Sequence, residues 1–134
     1  MYSRGYSFQW NRGSNGEHSW FVLTDAKDSK IIVANISSYD PNKRSLDKTC
    51  IIKPSDLKNL HNRIRNQSFV VYRQCELIDE SDIDVIVANT SKINSRIPAW
   101  LVDQMASGLT TSQCTPTRVK NFYKDIKTPT KSKG

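Results

Sequence analysis

Ser68-Phe69-Val70-Val71-Tyr72-Arg73-Gln74-Cys75-Glu76-Leu77-Ile78 is the stretch on which the fold turns. It is crowded with β-branched and aromatic residues and free of Gly and Pro, so it reads as one long strand, the fourth of the chain. Alternation along it sets Phe69, Val71 and Arg73 on one face and Ser68, Val70, Tyr72 and Gln74 on the other. Tyr72 and Arg73 therefore point to opposite sides of a regular strand. For both to reach one ligand, the strand must bulge near Tyr72 or end there.

Working outward, shorter apolar runs bounded by turn residues precede it. Ser19 to Thr24 reads as a first strand, Lys30 to Ser37 as a second and Lys48 to Lys53 as a third, stopped by Pro54. Ser38 to Ser45 is a polar loop, and Ser55 or Asp56 caps a short helical turn through Leu60. Residues 1–16, rich in Gly, Ser, Asn and Arg, read as an irregular lead-in. Past the long strand, Val85 to Ala88 is a candidate fifth strand, and the acidic run Asp79 to Asp84 reads as a solvated turn. The character then changes. Ile97, Leu101 and Met105 recur at helical spacing, with Gly108 where a C-terminal glycine belongs. Thr115-Pro116 opens a second helix, with Val119, Phe122 and Tyr123 to one side. The expected fold is β-rich α+β, a small barrel with C-terminal helices packed on it. Residues 1–126 make one domain and 127–134 a disordered basic tail.

Composition bounds the function. A chain of 134 residues holds one modest core. No run approaches the roughly 18 apolar residues a membrane span needs, and Met1 to Asn15 has no apolar core like that of a secretory signal. Cys50, Cys75 and Cys114 are odd in number and widely spaced, which argues against a disulfide framework or a zinc site and for a reducing, cytoplasmic setting. No phosphate-binding glycine loop of Walker or Rossmann spacing is present, and neither a metal nor another cofactor is expected. The net charge is +7 and unevenly spread: between residues 42 and 73, eight Lys or Arg stand against Asp47 and Asp56. A concentrated basic stretch suits a partner with a phosphate backbone.

The side chains beside the strands are those that metal-free RNA cleavage requires. His18 precedes the first strand and His61 lies in the basic loop entering the fourth; Thr49, Ser68, Tyr72 and Arg73 lie on the third and fourth. In that chemistry the 2′-hydroxyl loses a proton as it attacks phosphorus, the departing 5′ oxygen gains one, and the phosphorane needs its charge stabilised. Histidines titrate near neutrality and serve the proton transfers, while Arg, Tyr, Ser and Thr serve the charge. Lys53, Arg63 and Arg65 are further candidates for substrate phosphates.

Several of these strings resemble the MazF/PemK family of endoribonuclease toxins. Gly16-Glu17-His18-Ser19-Trp20-Phe21-Val22-Leu23-Thr24 is similar to that family's first long strand, and Ile31 to Ser38 to its second with the Thr/Ser pair that ends it. Ser68 to Arg73, followed by Glu76-Leu77-Ile78-Asp79, resembles the strand carrying its catalytic side chains and the closing acidic turn. A divergent, PemK-like branch is more similar still. There a His three residues before an Ile precedes a Ser-aromatic-Val-x-Tyr-Arg strand, with a Thr-Cys pair upstream, as in His61, Ile64, Ser68 to Arg73 and Thr49-Cys50. That branch tends to end in a helix, a Gly, a Ser-containing link and a Pro-initiated helix, matched by Trp100, Gly108, Ser112 and Pro116. The chain departs from better-known members, which set an Arg and an Asp two residues apart where Val71 and Arg73 stand, and it lacks their opening Arg-Pro. The resemblance implies an SH3-like barrel, a homodimer, cleavage of single-stranded RNA to 2′,3′-cyclic phosphate and 5′-hydroxyl ends, and a cognate antitoxin protein. His61 or His18 would be base or acid, Arg73 the phosphate clamp, and Tyr72, Ser68 and Thr49 oxyanion donors. Two other readings stay open: a non-catalytic basic barrel that binds nucleic acid, and a phage or mobile-element regulator that binds a protein.

Overall fold

The computed structural model describes residues 2–11, 17–57, 67–88 and 96–127. The element order is β1 (Ser7–Asn11), β2 (Glu17–Val22), β3 (Lys30–Ser38), β4 (Ile51–Ile52), the single turn α1 (Pro54–Leu57), β5 (Ser68–Val70), a 3₁₀ turn (Tyr72–Gln74), β6 (Glu76–Asp79), α2 (Glu80–Ala88), α3 (Ala99–Thr111) and α4 (Thr117–Lys127). It is an α+β protein: six strands form one antiparallel sheet in the order β1-β2-β3-β5-β4, with β6 also on β3. Among the described residues β1 and β4 do not pair, so the sheet is not closed into a barrel. No helix among them is long and apolar enough to cross a membrane.

β3 is central because its sequence is apolar on both faces. Ile32, Ala34 and Ile36 enter a core shared with α3 and α4, where Leu101, Met105, Leu109 and Val119 meet them. Ile31 and Val33 enter a second core with Phe8, Trp20 and Val22, covered by Ile83 of α2. Each fully buried aliphatic here contributes about 1.5–3 kcal/mol. At the β2–β3 turn, Asp28 and Ser29 take φ of 55° and 66°, a left-handed pair that reverses the chain tightly.

Five expectations are corrected. The lead-in is not irregular throughout: Ser7–Asn11 is an edge strand paired to β2 from Ser7↔Phe21 to Asn11↔Glu17. Its polar residues disguised it, yet Ser7 and Gln9 are buried, and the Gln9 amide donates to Ser19 Oγ at 3.0 Å. The candidate fifth strand is instead the end of helix α2, because Ile83, Ile86 and Val87 lie three and four residues apart and pack as one stripe. Most of the acidic run is that helix's first turn. Glu80 and Asp82 sit near the positive end of its dipole, and Asp82 Oδ2 accepts from the Asp79 N–H at 3.1 Å, half of a capping box.

The long strand is interrupted. Ile36 pairs with Val70 and Val33 with Glu76, so moving three residues along β3 consumes six on its partner. Three residues are extra, and they form the Tyr72–Gln74 turn. Finally, Gly108 does not end α3 but lies inside it. A Cβ there would overlap the Tyr72 hydroxyl and come within 2.5 Å of its Cζ. The glycine lets a tyrosine ring lie flush on the helix.

Candidate functional site

The inserted turn separates the two side chains that the sequence couples. Tyr72 goes inward and is fully buried, its hydroxyl donating to the Met105 carbonyl at 2.6 Å. Burial pushes its phenol far above the ordinary range, with the neighbouring Cys50 and Cys75 thiols adding to the shift. The expected role of Tyr72 as a donor to a substrate phosphate is therefore corrected: its proton is committed to a core carbonyl, and the residue anchors the turn from beneath. Arg73 goes outward and is exposed. No hydrogen-bond or ion-pair partner for its guanidinium exists among the described residues.

Arg73 stands on the wall of a shallow pocket of about 40 Å³, bounded also by Ser45, Asp47, Phe69 and Cys114 with Tyr72 as floor. Asp47 organises it. Its Oδ1 accepts from the Thr49 N–H at 2.9 Å and the Thr49 hydroxyl at 2.6 Å, and its Oδ2 accepts from Ser112 Oγ at 2.6 Å. Ser112 Oγ in turn accepts the Cys114 N–H at 3.0 Å. Burial alone would raise the Asp47 pKa, but the Ser112 and Thr49 donors, with Cys114, outweigh it and hold the carboxyl below its ordinary value. The charged carboxylate thus ties the loop before β4 to the junction of α3 and α4.

The other candidate residues scatter. Thr49 is not part of the pocket lining, and its N–H and hydroxyl both serve Asp47, which does line it. Ser68 is buried, paired with Ile52 on β4 and withdrawn from solvent. Lys53 is exposed just past β4. His18 is half-buried on β2 opposite Trp10, with β3 between it and the turn that carries Arg73. His61, Arg63 and Arg65 lie outside the described residues, as do residues 128–134 of the basic tail. So Tyr72 and Arg73 border the pocket from opposite sides of the turn and Thr49 is linked to it through Asp47, while Ser68, Lys53 and His18 do not join them.

Sequence reasoning missed Asp47, Ser112, Asn35 and Gln74. Asp47-Lys48-Thr49 carried a local signal, since Asp side chains accept from the backbone two residues on. The bond from Ser112 spans 65 positions and left no such trace. Among the described residues no group of three or more His, Cys, Asp or Glu is placed to hold a metal ion.

Comparison of the chain with protein-family models, with curated proteins and with solved structures finds no match.

Proposed function

We propose that this chain binds single-stranded RNA beside the Tyr72–Gln74 turn and cuts it, without a metal, by attack of the 2′-hydroxyl on the neighbouring phosphorus. Arg73 holds the phosphate and neutralises the extra charge of the phosphorane, and a histidine moves the proton; His18 stands across β3 from the turn, so His61 is the candidate for that role. The supporting observation is the outward guanidinium of Arg73, which has no partner among the described residues and rises from a turn pinned at Tyr72. A cation fixed at its base and left unneutralised is suited to an incoming phosphate. The net charge of +7 draws such a substrate in. In this reading the sheet and the C-terminal helices correspond to the SH3-like barrel of the MazF/PemK toxins. A second copy and an acidic antitoxin are the expected protein partners, and the cytoplasm is the setting.

The test is direct. Purified chain is incubated with end-labelled single-stranded RNA in excess EDTA, and the product ends are analysed. Cleavage leaving 2′,3′-cyclic phosphates, lost in Arg73→Ala and in a His61 variant, supports the reading. Salt-sensitive binding without cleavage favours the non-catalytic barrel. Cleavage abolished by EDTA and restored by magnesium refutes the metal-free mechanism.

A further inference from the structure

Arg73 serves a phosphate best from a turn that is held still, and beside the Tyr72 anchor a residue on another strand grips it. Asn35, in β3, is 3% exposed and faces the place where the three extra residues leave the sheet. Its carbonyl oxygen accepts the Val71 N–H at 3.0 Å. Its side-chain Nδ2 donates to Gln74 Oε1 at 2.9 Å. Val71 and Gln74 bracket the segment Tyr72–Arg73, so one residue grips both ends of the turn. Inside it, the Gln74 N–H returns to the Val71 carbonyl at 3.0 Å, and the Cys75 N–H to that of Tyr72 at 3.1 Å.

Asn35 is a poor choice for stability alone. Its Oδ1 is buried with no hydrogen-bond partner among the described residues, as is Nε1 of Trp20, the residue opposite it on β2. Buried polar atoms are nearly always satisfied, and an apolar residue of like volume would leave no orphan oxygen. What an apolar residue would also lack is the hydrogen bond to Gln74. Gln74 is itself exposed, and nothing about the core requires it.

We infer that Asn35 and Gln74 are positioning residues: the hydrogen bond between their side-chain amides fixes the Tyr72–Gln74 turn so that the guanidinium of Arg73 meets an RNA phosphate. The inference rests on the RNA reading of Arg73 and adds to it two residues that need not touch substrate. Because Asn35 acts through Arg73, its effect must vanish when Arg73 is gone.

A double-mutant cycle tests this, with affinity for a labelled single-stranded RNA measured over a range of salt and melting recorded for each variant. Arg73→Ala should weaken binding about tenfold and flatten the dependence of log affinity on log salt by about 0.7, the loss of one phosphate contact. Gln74→Met should weaken binding about threefold to tenfold and flatten the slope in the same sense, yet change affinity less than about 1.5-fold when Arg73 is already Ala. Asn35→Leu should behave alike; if it fails to fold, the exposed Gln74 carries the test. Equal losses from Gln74→Met in both backgrounds overturn the positioning role and leave the RNA reading intact. If Arg73→Ala binds RNA as tightly as the wild type, the RNA reading of Arg73 fails, and the inference with it.

Discussion

Gly108→Ala isolates the contact that turns Tyr72 inward. In an exposed helix interior the substitution stabilises by about 1 kcal/mol, since alanine is the better helix former. Here the added methyl overlaps the Tyr72 hydroxyl and lies within 2.5 Å of Cζ, both belonging to a ring with no exposed surface. The ring cannot swing to solvent, so it must shift within the core. Overpacking of this kind costs about 1–3 kcal/mol. The shift also strains or breaks the 2.6 Å bond to the Met105 carbonyl, and leaving that hydroxyl buried and unpaired costs roughly another 1–3 kcal/mol. Set against the gain in propensity, the net destabilisation is about 1–5 kcal/mol, or roughly 3–20 °C in Tm for a chain of this size. Urea unfolding monitored by tryptophan fluorescence, with calorimetry for Tm, measures it. Tyr72→Phe removes the hydroxyl that collides first, so Gly108→Ala should be less damaging in that background than in the wild type. A Gly108→Ala variant as stable as the wild type, or more so, would show that the ring does not lie on α3, and the inward placement of Tyr72 would fall.

The remaining predictions concern the surface, the carboxylate latch and the thiols. Arg73→Ala should melt within about 2 °C of the wild type, because an exposed cation without partners among the described residues holds nothing together; a large drop would make it a structural residue. Ser112→Ala should lower stability at neutral pH by about 1–2 kcal/mol, read by urea unfolding, since it removes a donor to a charged carboxylate. The Asp47 pKa is lowered on folding, so its contribution is present above the ordinary carboxylate value and is lost as pH falls through the lower folded one. Ser112→Ala should therefore flatten the acid limb of the stability profile, and an unchanged limb would refute the latch. Burial pushes the Cys75 thiol up to about 12 and raises Cys50 as well, whereas Cys114 is exposed. A thiol reagent at pH 8 should titrate Cys114 alone in the native chain and all of the cysteines in denaturant; rapid native reaction at Cys50 or Cys75 would contradict their burial.

Local chemistry was sufficient for much of this protein. The apolar runs at Trp20–Val22 and Ile31–Ile36 have few ways to leave water other than as buried strands, and the apolar stripe of α3 and the Pro116 start of α4 are set by neighbours three and four residues apart. Alternation alone also stated the conflict between Tyr72 and Arg73. What it could not give was the resolution. The three-residue insertion exists because Val70 and Glu76 both pair with β3 while Tyr72 finds a cleft over Gly108, on a helix 36 positions away in the chain. Ser7 and Gln9 looked like loop residues because their partners lie across a hairpin, and Val85 to Ala88 taken alone is a β-branched run whose helical stripe emerges once Ile83 is set beside Ile86 and Val87. Asp47 with Ser112, and Asn35 with Gln74, are likewise contacts between distant segments. Short-range sterics and periodicity are written in consecutive residues. The pairing of a buried polar atom depends on which distant segment arrives beside it, and only the folded chain decides that.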